Sequence, residues 1–330
     1  MKLRFRLFSA LVLLGLLVVL AGCSSNAEGN EGSQSTVRIG IQQSLSPLWI
    51  AKENGWFEEA FKELGVEVEW VEFQSGPPQF EGIAAGKLDF TDVGNTPVIG
   101  GQAADVPFKE IAVTADGMLA NAILVNGDSG IKTVEDLKGK KIAVAKGSSA
   151  FGFLYQVLKK YNIDPSEVEI IQLQPDEATP AFENGSVDAW SIWEPFISIQ
   201  TIRNDAEILI NGKEMNLSSP SFAVARQGII DEHPEFVSTF LEVYARAAEW
   251  RTDNKEEAIE FFSKARELEP EVVESVLNNT NYFVSPITDE FNAGQQKVAD
   301  LLFELGAIEK SIDTSKAYDN EFAEKLQKGE

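Results

Sequence analysis

Four loops of the sequence place glycine, serine or threonine just after a predicted strand and just before a predicted helix. They read Ser44-Leu45-Ser46-Pro47, Gln74-Ser75-Gly76-Pro77, Gly94-Asn95-Thr96-Pro97 and Lys146-Gly147-Ser148-Ser149. A helix start presents unpaired backbone N–H groups and the positive end of the helix dipole, and small side chains let an anion approach them. Serine and threonine are also ordinary helix caps, so one such loop alone is weak evidence. Four in one chain favour a shared anion site.

The hydroxyls expected to donate to the anion are those of Ser75, Thr96 and Ser148, helped by backbone N–H groups of the neighbouring glycines. Charge-assisted hydrogen bonds contribute ~1.5–3 kcal/mol each, so four or five would supply a micromolar affinity of about −8 kcal/mol. Lys146 lies beside this set and either contacts the anion or points to solvent.

A second candidate region is the predicted strand-to-helix turn around Trp190, Trp193 and Glu194. The two tryptophans, with Phe151, either line the tail of a ligand or belong to the core, since tryptophan is usually largely buried. Glu194 either contacts the ligand or accepts hydrogen bonds from the start of the following helix. Both interpretations stay open for all of these residues.

Residues able to perform covalent or metal chemistry are scarce. The chain has one His and one Cys, which cannot build a zinc site of Cys/His ligands. His233 stands in an Asp-Glu-His-Pro stretch that reads as a surface loop before a helix. The sequence lacks both the phosphate-binding Gly-rich loop ending in Lys-Ser/Thr and the Gly-x-Ser-x-Gly elbow of hydrolases. No catalytic residue, cofactor or metal is therefore predicted.

The charge balance excludes a further class of function. The 330 residues carry 28 Lys+Arg against 52 Asp+Glu, a formal net charge of −24. Such a chain would be repelled by phosphate backbones, so nucleic acid is not an expected partner. A small anion is still allowed, because salt screens charges beyond about 8–10 Å and donors in a cleft act locally. The 44% hydrophobic content and the length predict a globular protein of about two domains.

The N-terminus has the pattern of an export signal. Basic residues precede an apolar run at 7–20, which is shorter than the ~20 residues needed to span a membrane. The run ends in Leu20-Ala21-Gly22-Cys23, which matches the bacterial lipobox. A transmembrane anchor and an ordinary secretory cleavage site are the alternatives.

The lipobox predicts a lipoprotein signal peptide at residues 1–22, a lipid on Cys23 and a flexible tether over residues 23–36. The body would then work on the extracytoplasmic face of the cell membrane, which it contacts through its lipid alone or through a membrane partner. Two acyl chains anchor far better than one, at ~0.8 kcal/mol per buried CH2.

Predicted strands alternate with predicted helices in two sets, one before and one after Asp128. Repeated units of this kind imply largely parallel sheets covered by helices. From Pro234 onward only helical patterns are predicted, and those helices have no sheet of their own. The predicted fold class is therefore α/β with two lobes.

Lobe 1 is predicted over residues 37–121 and 226–330, with the C-terminal helices returning to it, and lobe 2 over residues 122–225. The short strands at 122–125 and 222–225 are the candidate crossover strands of a two-strand hinge. Ligands of open α/β sheets bind beyond the carboxyl ends of the strands. The small, polar loops of this chain fall at those ends.

Four longer motifs carry a family resemblance. They are the segments 71–77, 89–97, 136–144 and 185–195, which begin at Val71-Glu72-Phe73, Asp89-Phe90-Thr91, Asp136-Leu137-Lys138 and Gly185-Ser186-Val187. In this order they resemble the motifs of ABC-importer substrate-binding proteins of the aliphatic sulfonate/taurine/nitrate group, over residues 37–251. The resemblance implies a type II periplasmic-binding-protein fold, with a hinge, an interlobe ligand cleft, and an ABC permease with its ATPase as partners.

The resemblance also implies a set of binding residues. The family's sulfonate-binding loops match Ser75 and Gly76, then Gly94 to Thr96, then Gly147 to Ser149. The position of Asn95 is often acidic in sulfonate binders and is neutral here. The full predicted ligand-binding set is Gln42, Ser75, Gly76, Pro77, Gly94, Asn95, Thr96, Gly147, Ser148, Ser149, Trp190, Trp193 and Glu194.

The expected function is capture of a small sulfonate by a monomeric, non-enzymatic importer component. An alkanesulfonate is favoured because the aromatic side chains could line an apolar tail. Taurine, aryl sulfonates, nitrate and a pyrimidine precursor stay open as ligands. An enzyme of the pyrimidine-precursor synthase type and a sensor lipoprotein without transport are the alternatives from other classes.

Overall fold

The computed structural model describes residues 35–329. The predicted signal peptide, the lipidated Cys23 and all but the last two residues of the predicted tether lie outside these residues. Among residues 35–329, no helix combines the length and the apolar character needed to cross a bilayer.

The first sheet has six strands, in the order β11-β4-β10-β3-β1-β2. β1 and β3 run parallel, whereas β10 is antiparallel to both β3 and β4, and β11 is antiparallel to β4. The strands of this sheet are β1 (Ser35–Gln42), β2 (Val66–Phe73), β3 (Phe90–Gly94), β4 (Phe108–Ala115), β10 (Ser221–Arg226) and β11 (Tyr282–Ser285).

The second sheet has five strands, in the order β7-β6-β8-β5-β9. β6 is parallel to β7 and to β8, and β5 is antiparallel to β8 and β9. The strands of this sheet are β5 (Asn121–Asn126), β6 (Lys141–Val144), β7 (Glu169–Gln172), β8 (Ala189–Trp193) and β9 (Ala206–Asn211).

Helices connect and cover the strands. In chain order, those of residues 35–329 are α1 (Pro47–Glu53), α2 (Trp56–Glu63), α3 (Pro77–Ala84), α4 (Asn95–Ala103), α5 (Ser149–Lys160), α6 (Pro175–Glu183), α7 (Phe196–Arg203), α8 (Gly212–Met215), α9 (Gln227–Glu232), α10 (Pro234–Asp253), α11 (Lys255–Arg266), α12 (Pro270–Asn279), α13 (Asp289–Glu304) and α14 (Glu321–Lys328).

Helix α10 provides much of the apolar cover of the first sheet. Phe236, Phe240 and Tyr244 recur every fourth residue along it and are buried, as expected for one face of a helix. The Phe240 ring stacks on that of Phe90 in β3, with centroids 4.6 Å apart. Burial of a phenylalanine side chain contributes roughly 1.5–3 kcal/mol, so this face fixes the helix on the sheet.

The second sheet has its own apolar core, built around α5. Phe153 and Leu154 of that helix are fully buried there. Val298 and Leu302 of α13 belong to the same cluster of packed side chains. A C-terminal helix therefore packs with the second sheet, while α10 and α14 pack with the first.

Two segments lead from one sheet to the other. Residues 116–120 connect β4 to β5, and residues 216–220 connect α8 to β10. The segments lie side by side, because the Ser218 hydroxyl donates to the Asp116 carbonyl oxygen at 2.5 Å. The two sheets are thus connected by two adjacent chain segments.

Two details differ from the sequence-based expectation. The strands that follow the two crossings, β5 and β10, are antiparallel to their neighbours, because the chain enters each sheet from the other one. The expectation of helices alone after Pro234 is wrong, since β11 pairs with β4. A four-residue edge strand is too short to show an alternating pattern. The predicted lobe limits stay a prediction. Most of β10 falls within the predicted lobe 2, at residues 122–225, but the strand pairs with β3 and β4 of the first sheet.

Candidate functional site

A cleft of about 660 Å³, counting its open mouth, is lined by residues of both sheets and of the segments between them. The first sheet supplies Gln42, Asp92 and Ser221, and the second supplies Trp193. The two helix starts that follow β3 and β6 face the same space. This position beyond the strand ends is where open α/β sheets bind ligands.

Seven residues of the predicted set line the cleft together. They are Gln42, Gly76, Gly94, Ser148, Ser149, Trp193 and Glu194. Ser44, from the fourth small-residue loop, also lines it. Residues separated by up to 152 positions in the sequence are therefore brought to one site, and their contact with a ligand stays a prediction.

The other six predicted residues do not line the cleft. Ser75, Asn95 and Thr96 are buried beside residues that do. Pro77 and Gly147 lie against each other, since a Cβ added to Gly147 would be 3.3 Å from the proline Cγ. The last of the six is Trp190, which is described next.

Trp190 is a core residue of the second sheet. Its side chain is fully buried, and its ring packs against those of Phe182 and Phe196, with centroids 5.9 Å and 5.7 Å away. Trp193, three residues later, lines the cleft and packs against the same Phe196. Of the two tryptophans proposed as an apolar wall, only Trp193 is placed to contact a ligand.

The N-termini of α4 and α5 meet at the cleft. A Cβ on Gly94, which precedes α4, would lie 2.8 Å from the Cβ of Ser149, the first residue of α5. A Cβ on Gly152 would lie only 2.1 Å from the Thr96 Oγ1. Glycine at both positions lets the helix starts approach, so that their unpaired N–H groups and positive dipole ends converge.

Three buried polar atoms near these helix starts have no hydrogen-bond partner among the described residues. They are the Ser75 Oγ, the Asn95 Nδ2 and the Asn121 Nδ2. Asn121 is held by the Ser149 hydroxyl, which donates to its Oδ1 at 2.9 Å. Buried polar groups are nearly always paired in folded proteins, so three unpaired donors, each next in sequence to a residue that lines the cleft, mark this region as a candidate ligand site.

Several hydroxyls of the cleft were not identified from the sequence. Ser219 lies in the second crossing and Ser221 begins β10, while Thr280 and Tyr282 come from the end of α12 and the start of β11. None of them follows a strand and precedes a helix, which was the pattern used. The short strand that begins at Tyr282 has no motif that would identify it as part of a site. Only the topology of the fold brings these side chains to the cleft.

Asp92 is a further residue of the cleft that was not identified from the sequence. Its carboxylate lines the cleft and accepts hydrogen bonds from the Thr114 hydroxyl at 2.7 Å and from the Tyr244 hydroxyl. Burial raises the pKa of Asp92 to about 6, against the lowering effect of these two bonds.

Glu194 lines the cleft from the second sheet. It accepts hydrogen bonds from the Ser198 N–H at 3.1 Å, the Ser198 hydroxyl at 2.9 Å and the Asn279 side-chain amide at 2.7 Å. The carboxylate therefore pairs with the start of α7, one of the two interpretations of this residue, while also facing the cleft. Burial raises its pKa, and the three hydrogen bonds oppose that effect.

Among residues 35–329, no lysine or arginine lines the cleft. Lys146 is exposed and lies outside that lining. The nearest buried cation is Arg251, which donates to the Thr280 carbonyl oxygen at 2.9 Å and stacks over the Tyr282 ring at 4.9 Å. Burial lowers its pKa. In residues 35–329, no three His, Cys, Asp or Glu side chains converge as metal ligands would.

The fold and the site match known solute-binding proteins. A family model described as NMT1/THI5 like matches residues 42–258, and the chain belongs to that family. A Bacillus subtilis protein named for binding aliphatic sulfonates is 53% identical over 96% of this chain and 95% of its own length. An Escherichia coli protein named in the same way is 32% identical over 92% of this chain and 93% of its own length.

One solved structure adds a three-dimensional match. The alkanesulfonate-binding protein SsuA from Xanthomonas axonopodis pv. citri, bound to MOPS, superposes with a TM-score of 0.82 at 30% identity, over 87% of this chain and 98% of that one. The predicted two-lobe periplasmic-binding-protein fold is confirmed by this match. The resemblance to the sulfonate group of importer binding proteins is confirmed as well.

The two helix starts allow a direct test of ligand contact. The Ser148 Oγ accepts from the Phe151 N–H at 3.2 Å, which leaves its hydrogen for a ligand in the cleft. Ser148→Gly keeps most of the capping effect, because glycine at an N-cap loses only a few tenths of a kcal/mol. We expect it to weaken binding about five- to 100-fold through loss of a donor to a charged group, as measured by calorimetry.

Thr96→Val is the matched variant for this test. Its hydroxyl lies against Gly152 and 3.4 Å from the Asn95 Oδ1, away from the lining of the cleft. We expect a smaller loss of affinity than at Ser148. A loss at Thr96 of about 1–3 kcal/mol would instead place both hydroxyls on the ligand.

Proposed function

We propose that the protein captures a small sulfonate in the cleft between its two sheets and delivers it to an ABC permease driven by an ATPase. The observation that carries this proposal is the meeting of two helix N-termini beside unpaired buried donors, in a cleft rich in hydroxyls. A sulfonate head has three oxygens that accept from several donors at once, so it suits a site made of N–H and O–H groups. The names of the relatives, and MOPS in the matched structure, support the same ligand class.

A thermal-shift panel tests the ligand class. The full-length chain is heated with ethanesulfonate, butanesulfonate, taurine, MOPS, nitrate and, as a matched control of different head group, butanoate. We expect the sulfonates to stabilise the protein, by about 2.7 kcal/mol at 100 times the dissociation constant. Stabilisation by nitrate or butanoate without any response to the sulfonates would contradict the proposal.

The function is binding rather than catalysis in this proposal. The two relatives reported above are named as binding proteins. In the cleft, Glu194 accepts three hydrogen bonds, and the lining formed by residues 35–329 has no histidine or cysteine that could act as a nucleophile or general base. Absence of sulfonate turnover by the purified protein is the corresponding measurement, read by mass spectrometry.

The membrane attachment of the protein is also a proposal. The lipobox ending at Cys23 supports export and lipidation, so that a monomeric binding body is tied to the extracytoplasmic face of the membrane. Detergent-phase partitioning of the chain and of Cys23→Ser tests this proposal. Equal partitioning of both into detergent would reject a lipid anchor at this residue.

A further inference from the structure

The charges around the cleft are unusual for a site that binds an anion. Two carboxyl groups, those of Asp92 and Glu194, line it, and none of the lysines and arginines in the described part of the chain does. Neither carboxyl group has an ion-pair partner within 4.0 Å among the residues described. A plain sulfonate would add a third negative charge to this space, and like charges at close range are destabilising.

The surrounding groups do not remove this excess of negative charge. Tyr244 and Tyr282 face Asp92, and burial together with the nearby carboxylate raises the pKa of both phenols, so they stay neutral. Arg251 is a buried cation behind the cleft wall, and its contacts are to Leu45, Thr280 and the Tyr282 ring rather than to a carboxylate. With both carboxyl groups ionised, two negative charges face one positive charge.

The two carboxylates differ in what they can still bind. Glu194 accepts three hydrogen bonds from Ser198 and Asn279, two on Oε1 and one on Oε2, so about one of its lone-pair sites stays free. Asp92 accepts one hydrogen bond on each oxygen, from Thr114 and Tyr244. Since a carboxylate has about four lone-pair sites, each Asp92 oxygen keeps room for another donor. Asp92 is also partly exposed, and it lines the cleft.

We propose that the cleft selects sulfonates that carry a protonated amino group, and that Asp92 is the residue that determines this specificity. The ammonium group donates to the free lone pairs of Asp92, while the sulfonate head lies among the hydroxyls and helix N-termini. A ligand with one charge of each sign adds no net charge to the cleft. This inference rests on the proposed function, because it concerns the choice among sulfonates.

Titration calorimetry on the full-length chain compares ligands that differ in the amino group alone. The pairs are taurine against ethanesulfonate and 3-aminopropanesulfonate against propanesulfonate, in phosphate and in Tris at pH 7, which contain no sulfonate. We expect the amino ligand of each pair to bind at least about tenfold tighter, as for a hydrogen bond to a charged group.

Proton uptake gives a second readout that needs no variant. The heats in the two buffers report how many protons are taken up on binding. A plain sulfonate raises the pKa of the carboxyl groups near it, so we expect proton uptake with ethanesulfonate and none with taurine. Burial already raises the pKa of Asp92 to about 6, close enough to pH 7 for the uptake to be measurable.

Asp92→Asn assigns the preference to one residue. We expect it to reduce the taurine preference at least about tenfold, with ethanesulfonate bound as well as before or tighter. Ser221→Ala, a neutral change in the same cleft, is expected to leave the ratio of the two affinities as it is in the wild type. Melting curves of the ligand-free variants show whether each is folded.

The outcomes separate this inference from the function on which it rests. Ethanesulfonate binding as tightly as taurine in the wild type would overturn the amino preference and leave sulfonate capture intact. A preference that persists in folded Asp92→Asn would overturn the role of Asp92. No binding of any of the four ligands would overturn the proposed function itself. If Asp92→Asn does not fold, the wild-type affinities and proton uptake still decide the amino preference.

Discussion

Gly117→Ala is expected to lower the free energy of unfolding by at least about 3 kcal/mol, because a Cβ at this position has no space. The backbone of Gly117 is in the left-handed region, with φ at +67°. A Cβ there would lie 1.8 Å from the carbonyl oxygen of Ser219 and 2.4 Å from its carbon. These are main-chain atoms of the other crossing segment, so the overlap can be relieved only by moving one segment away from the other.

Gly130→Ala is the matched control. Gly130 also has a positive φ, of +73°, but an added Cβ there meets no atom within 4 Å. Alanine should therefore cost only the conformational penalty of about 1–2 kcal/mol. Urea unfolding of both variants followed by circular dichroism measures the difference. Equal destabilisation at the two positions would show that contact between the crossing segments does not matter for stability.

The same glycine links stability to function. Ser219, which a Cβ on Gly117 would displace, lines the cleft. Residues 116–120 and 216–220 are the segments about which two sheets could move relative to each other. We infer that the tight contact at Gly117 sets the position of the cleft wall as well as the strength of the attachment.

The sequence revealed the parts of the site that depend on local structure. Gly94, Ser148 and Ser149 were predicted to bind because small and hydroxyl residues at a helix start have a local meaning, namely capping and exposed N–H groups. The structure places all three on one cleft. The family motifs gave the order of the elements, so the two-lobe fold was predictable as well.

The parts of the site that the sequence did not reveal depend on topology. Asp92 lies in a largely buried β-strand, between Thr91 and Val93, where a single acidic residue has no local signal of function. Tyr282 belongs to a four-residue strand at the edge of the described sheet, where it pairs with β4. Trp190 was ambiguous for the same reason, because an alternating strand pattern does not state which face of β8 meets the cleft. The choice between core and cleft needs the neighbouring strands.

Glu110→Gln is the second variant for which a large effect is expected, and the effect depends on pH. Glu110 lies in β4 and is 1% exposed, far more buried than a carboxylate normally is. The Gln295 side-chain amide donates to its Oε1 at 2.6 Å, and the Gln295 Oε1 has no partner among the described residues. A neutral group at position 110, able to donate as well as accept, suits this arrangement better than a carboxylate.

Burial raises the pKa of Glu110 to about 8, and the hydrogen bond from Gln295 only partly opposes it. In the unfolded chain the pKa is near the ordinary value of 4.5. The folded protein therefore holds more protons than the unfolded chain between these values, and stability falls as pH rises from about 5 to 8 and then levels off. At about 1.4 kcal/mol per pH unit, the loss from this one residue is about 3–5 kcal/mol.

Glu110→Gln removes the ionisation and should remove most of that loss. We expect wild type and variant to be similarly stable near pH 5, and the variant to be the more stable by several kcal/mol at pH 9. Urea unfolding across this range gives the difference directly. Asp92 and Glu194, whose pKa values are also raised by burial, are present in both proteins, so their contributions cancel in the comparison.

Glu242→Gln, on the exposed face of α10, is the matched control and should shift stability by the same small amount at every pH. A difference between wild type and Glu110→Gln that stays constant from pH 5 to pH 9 would mean that Glu110 is ionised in the folded protein throughout, with its charge stabilised by groups other than Gln295.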